Sequence, residues 1–151
     1  MDKFVMLLRK ENELELENMH SKNFDIEIFS DVILGLQAIK KLKPKLIVID
    51  LATSKISGIE ILRIIRSNPA NYHTKIIVTA KNFNMSVIER AFNLGADYFI
   101  KYPFKINDLE KIYELLRQFN DFTNLEAIAS KYDYDWAIGI WETSHIFFDK
   151  M

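Results

Sequence analysis

The sequence predicts one α/β domain, a parallel sheet with helices on both faces. Three features carry that expectation. Apolar periodicity switches along the chain between short continuous runs, which suit strands, and stripes at helical spacing. One run, Leu46-Ile47-Val48-Ile49, is apolar at every position and mostly β-branched, the pattern of a strand buried on both faces. The strand-helix alternation repeats five times and ends near Phe119, which implies parallel strands joined by right-handed crossovers.

The elements follow in order. Phe4-Val5-Met6-Leu7-Leu8 reads as a first buried strand, and residues 12–20 carry a weak helical face of Leu14, Leu16 and Met19. Ile26 to Phe29 reads as a second strand. Ser30-Asp31 can cap a helix carrying Val32, Ile33, Leu36, Ile39 and Leu42, which Pro44 ends. After the Leu46–Ile49 strand a loop runs to Ser57, and Gly58 leads into a helix with Ile59, Leu62, Ile65 and Arg66. Ile76 to Thr79 is a fourth strand. Val87, Ile88, Ala91, Phe92 and Leu94 mark a helix whose left-handed end suits Gly95. Tyr98-Phe99-Ile100 is a fifth strand, and Ile106, Leu109, Ile112, Tyr113 and Leu116 stripe a last helix.

Residues 1–119 therefore form the domain and 120–151 an extension. Residues 121–151 hold six acids against two lysines, with seven aromatics: Phe122, Tyr132, Tyr134, Trp136, Trp141, Phe147 and Phe148. That aromatic content exceeds what a disordered linker carries. The extension is expected to be ordered, with a short helix through Leu125, Ile128 and Tyr132, packed on the domain or across a homodimer.

Composition excludes several classes of function. Twenty basic and 21 acidic residues leave a net charge of -1, without the basic excess of a nucleic-acid binder. Cysteine is absent, which removes disulfides and thiolate chemistry. The Phe4–Leu8 run is too short for a signal-peptide core or a membrane span, so no membrane contact and a cytoplasmic location are expected. His20, His73 and His145 share no ligand spacing and read as surface residues. Lys55, Arg63 and Arg66 read as a scattered, solvated basic set.

In folds of this class ligands meet the carboxyl ends of the strands. Here those ends are Arg9-Lys10, Asp50, Thr79 and Lys101-Tyr102. Asp50-Leu51 closes the third apolar run, and Gly58-Ile59-Glu60 follows eight residues after Asp50. Ile76-Ile77-Val78-Thr79-Ala80 comes next. Leu94-Gly95-Ala96-Asp97-Tyr98-Phe99-Ile100 then leads to Pro103-Phe104. In this order and spacing, over roughly residues 3–119, the chain resembles a response-regulator receiver domain of the chemotaxis-regulator type. The resemblance implies a flavodoxin-like, doubly wound five-stranded sheet of order 2-1-3-4-5. It further implies a phosphoacceptor role for Asp50, a switch hydroxyl at Thr79, a switch aromatic at Phe99 and a cis Tyr102-Pro103 bond.

Two departures from the family pattern alter the expected chemistry. The family places two metal-holding acids after the first strand, where this chain has Arg9-Lys10. It places a lysine before the proline, where this chain has Tyr102-Pro103, with Lys101 one residue early and so on the opposite side of a strand. Mg²⁺ needs hard oxygen ligands, and Arg9 and Lys10 offer only donors. No cofactor is therefore expected, with Mg²⁺ held only if other acids such as Glu11 and Glu13 rescue the site. Arg9 or Lys10 is expected to pair with Asp50 instead. Phe99 is expected to be core, and Tyr102 to fill the lysine's space.

The sequence thus points to a stand-alone, atypical receiver that is not an enzyme and signals through a protein partner. The partner face would be the Met85–Arg90 helix with Val87, the Phe99–Lys101 strand and the Ile106–Leu116 helix. Three alternatives stay open: a phosphorylatable regulator that takes a phosphoryl group on Asp50 from a histidine kinase, a structural dimerisation module, and a small enzyme with Asp50 as acid or base. The last lacks a phosphate loop, a nucleophile-base pair and a metal cluster.

Overall fold

The computed structural model describes residues 1–9, 20–52, 56–82 and 84–118. Lys10, Lys55, His145, nearly all of the helix expected over residues 12–20 and the whole 120–151 extension lie outside them. Five strands form one parallel sheet: β1 (Asp2–Leu7), β2 (Phe24–Phe29), β3 (Leu46–Asp50), β4 (Lys75–Ala80) and β5 (Tyr98–Lys101). Their order is β2-β1-β3-β4-β5, as the resemblance implied. Four described helices connect or follow them: α1 (Val32–Leu42), α2 (Gly58–Arg66), α3 (Met85–Asn93) and α4 (Ile106–Gln118). Strands run one or two residues beyond the apolar run at one end or both, because ladder pairing such as Asp2↔Phe24 continues through polar positions, whereas β1 ends at Leu7, one residue short of Leu8.

Strand alternation divides the interior into two cores. Phe4, Met6, Leu8, Leu46, Val48 and Ile77 face one side and pack on Leu109, Ile112, Tyr113 and Leu116 of α4. Phe4 stacks on Phe24, and Tyr113 meets both rings edge-on. Val5, Leu7, Ile47, Ile49, Ile76 and Val78 face the other side, against α1, α2 and α3. Each fully buried Leu, Ile or Val contributes about 1.5–3 kcal/mol. The helices begin on side-chain caps: Asp31 accepts the Leu34 N–H, Ser57 that of Glu60, and Asn84 that of Val87. Lys43 ends α1 in the left-handed region, and Gly95 takes φ +108° after α3, as its position predicted. Ile33, read as part of α1's apolar stripe, is instead 65% exposed.

Arg66 also differs from its expected place on a solvated face. Its guanidinium is largely covered and makes three bonds: to the Gly95 carbonyl at 2.9 Å, the Asn71 carbonyl at 2.7 Å and Asp97 Oδ2 at 2.9 Å. Asp97 Oδ2 also accepts the Ile76 N–H at 2.8 Å, and the Asp97 N–H returns a bond to the Ile76 carbonyl. Arg66 therefore ties the end of α2 to the entry of β5. Arg63, one turn earlier, is exposed and pairs with Glu60.

Burial pushes the Asp97 carboxyl above the usual carboxylate range, against the pull of the Ile76 N–H, Arg66 and Lys75. The same burial lowers the Arg66 guanidinium, opposed by Asp97. Arg66→Met leaves the covered carboxylate without its cation. It should cost about 2–3 kcal/mol of unfolding free energy by urea titration, less than a fully buried pair because water reaches both groups. The folded-state value of Asp97 lies above the unfolded one, so folding takes up a proton between the two. This group's contribution is complete at low pH and is lost as pH rises through the folded-state value. Across that acidic window, wild type should lose stability relative to Asp97→Asn; urea titrations at stepped pH read the difference.

Candidate functional site

The carboxyl ends of β1, β3, β4 and β5 meet where the sequence placed the site. Asp50 ends β3 only 1% exposed. Its Oδ1 accepts the Ala52 N–H at 2.9 Å, and its Oδ2 accepts the Arg9 N–H at 3.4 Å. Thr79 lies beside Asp50 in the β3–β4 register, and its carbonyl accepts the Leu51 N–H at 2.9 Å. Among the described residues, the buried Thr79 hydroxyl has no hydrogen-bond partner. Gly58 closes the loop from below: a Cβ there would stand 2.5 Å from the Asp50 carbonyl oxygen, so only glycine lets α2 start this close to β3.

Arg9 thus reaches Asp50 through its backbone N–H, while Lys10, the other cation at the expected acid pair, lies outside the described residues. Tyr102 is 2% exposed and packs in the α4-side core, its ring edge-on to Phe104. The Tyr102-Pro103 bond is cis. Lys101 and Pro103 point to solvent. Phe99 is core, 5% exposed, among Ile88, Ala91 and Phe92. It therefore contributes no surface to the partner face expected of it, and Leu109, Ile112, Tyr113 and Leu116 are likewise buried. Exposed residues on or beside these elements include Met85, Arg90, Lys101, Lys105 and Lys111, with Glu89, Asp108, Glu110 and Glu114 half-buried on the same helices.

Lys81 is a site residue that the sequence reading missed. It follows β4 directly, and its Nζ lies 5.4 Å from the centroid of the Tyr102 ring, within cation–π range. A groove of about 190 Å³ opens here, lined by Arg9, Leu51, Ala52, Ala80, Lys81, Asn82, Asn84, Val87 and Ile88. The one signal in the sequence was a cation immediately after Thr79-Ala80.

The described donors are a poor fit to Mg²⁺, which prefers carboxylate and water oxygens in octahedral array. Asp50, the carboxylate at the strand ends among the described residues, already accepts two backbone N–H groups, and the polar lining of the groove is cationic or amide. Among the described residues no group of three or more acids or histidines could hold a metal ion. Such a lining suits an anionic group better than a cation. Nor is any described helix long and apolar enough to cross a membrane.

Comparisons with known proteins agree with this fold. The family model for the response regulator receiver domain matches residues 7–114. The response regulator ArlR of Staphylococcus saprophyticus is 36% identical over 107 residues, which cover 70% of this chain and 46% of that protein. The DNA-binding response regulator MtrA of Mycobacterium tuberculosis is 29% identical over 91 residues, 60% of this chain and 39% of that protein. This chain spans less than half the length of these relatives. Among solved structures, the signal receiver domain of a DNA-binding response regulator (merR) from Colwellia psychrerythraea superposes with a TM-score of 0.66 at 20% identity, covering 79% of this chain and all of that one. A CheY-like receiver domain from Methanospirillum hungatei gives 0.63 at 22% identity, covering 78% and 95%. These structures share the fold.

A buried hydroxyl without a partner costs stability, and an apolar replacement of similar shape removes that cost. Thr79→Val should raise the unfolding free energy by about 1 kcal/mol, read by thermal or urea unfolding.

Proposed function

This chain belongs to the response-regulator receiver family of two-component signalling, and from that premise we propose an atypical receiver whose Asp50 pocket works without Mg²⁺-dependent phosphorylation. One observation carries the reading: the segment that should bring two metal-holding acids brings Arg9, whose backbone N–H bonds Asp50 Oδ2. Phosphoryl transfer to a carboxylate depends on neutralising charge around the transferred oxygens. The metal is the largest such source in active receivers. Here the described cations lining the groove are Arg9 and Lys81. Tyr102 takes the space of the usual lysine and is buried in the core, where it offers a ring to Lys81.

Output then rests on surface recognition. We assign partner binding to the accessible residues of the α3–β5–α4 face, Met85 with Arg90, Lys101, Lys105 and Lys111. Met85 is an exposed apolar side chain, and the four cations are more exposed than the half-buried Glu89, Asp108, Glu110 and Glu114, which favours a partner with an acidic rim around an apolar pocket. Incubation of the full chain with a small phosphodonor and Mg²⁺, followed by intact mass, tests the proposal. No mass gain is expected at Mg²⁺ concentrations that saturate an ordinary receiver. A gain of one phosphoryl group that disappears in Asp50→Asn would establish the phosphorylatable alternative.

A further inference from the structure

At the end of the molecule opposite Asp50, α1 and α2 leave a groove of about 190 Å³ between them. Ile39 and Ile65, 3% and 2% exposed, form its floor, Leu36 and Ile64 its walls, and Lys40 and Lys43 its rim. Ile64 is 41% exposed, a large apolar side chain with a face in water. Ile33, one turn before Leu36 on the same helix face, is 65% exposed and extends the apolar surface. Among the described residues no acid lines this groove, and Lys41 adds a third cation to the end of α1.

The chain itself carries a segment with matching chemistry. Residues 121–151 have a net negative charge and both tryptophans of the protein, Trp136 and Trp141. Within them, Tyr132-Asp133-Tyr134-Asp135-Trp136 alternates rings with carboxylates. Rings suit the isoleucine floor, and carboxylates suit the lysine rim. The connection also fits. α4 runs back from the carboxyl end of β5, and its Tyr113 packs on Phe4 and Phe24 near the amino ends of β1 and β2. Gln118 therefore leaves the domain at the end where Lys43 and Asn68 border the groove, but on the sheet's other face, so the chain must pass around the sheet to reach it. A dozen extended residues reach roughly 40 Å, against a radius of gyration of about 13 Å for a domain of 100 residues.

We propose that the Tyr132–Trp141 segment docks in the α1–α2 groove of its own chain, rings on Ile39, Ile64 and Ile65 and carboxylates on Lys40 and Lys43. Docking there covers the apolar surface on this side and leaves the α3–β5–α4 face clear. It stands independently of whether Asp50 accepts a phosphoryl group.

Because both tryptophans lie in this segment, intrinsic tryptophan fluorescence of the full chain reports its environment alone. The expected result is blue-shifted emission, weakly quenched by acrylamide and unchanged on dilution. Ile64→Glu, and separately Lys40→Glu with Lys43→Glu, should shift emission to the red and raise quenching while the far-ultraviolet circular dichroism stays the same. A zero-length carbodiimide should link Lys40 or Lys43 to an acid of residues 133–142 within the monomer. Solvent-exposed emission in wild type overturns the proposal. So does buried emission that ignores the groove substitutions, which would place the segment elsewhere. Emission that reddens on dilution would give the groove to a second copy and overturns it equally.

Discussion

Asp50 sits at the end of the central strand almost wholly out of water, and two backbone N–H groups, from Arg9 and Ala52, meet its carboxylate oxygens. A carboxylate withdrawn from solvent without partners is costly enough to reorganise whatever surrounds it. Both donors belong to segments that leave strands, so the requirement fixes how the chain exits β1 and β3. Gly58 completes the arrangement, because α2 can begin against the Asp50 backbone only where no Cβ intervenes. The same close approach lets Ile61, Leu62 and Ile65 reach the sheet. Among the described residues, the neighbouring hydroxyl of Thr79 is buried without a hydrogen-bond partner.

The architecture that holds this pocket was legible in the sequence to a large degree. The Leu46–Ile49 run read as a central strand, and the strand-helix alternation set the order of the described elements. The glycine eight residues after Asp50 and the Gly95 turn each answered a backbone requirement that few residues meet. Strand ends were less visible, because ladder bonds do not stop where apolar side chains stop. Asp2, Asp25 and Lys75 all pair within the sheet despite their polarity.

Long-range polar contacts were not legible. Arg66 looked like any surface arginine, because its acceptors Asn71, Gly95 and Asp97 gather around it only once α2 and β5 are packed. Lys81 was overlooked for a similar reason: its meeting with Tyr102 depends on β4 and β5 ending side by side. Ile33 erred in the other direction. Periodicity marks which residues share a helix face but not how far the neighbouring helix extends over it. Phe99 was read correctly as core, yet it was also assigned to a partner face, and a side chain 5% exposed cannot serve both roles.

The Arg66 clasp has a mechanical corollary. It fastens the first residues of β5, through Gly95 and Asp97, to the far end of α2. At its other end β5 runs to Lys101 in open solvent. Between these points the strand is laddered to β4 at every residue, and the Tyr102 N–H closes it on the Ala80 carbonyl at 2.9 Å, so β5 is anchored at both ends: by a side-chain clasp where it enters and by the backbone where it leaves.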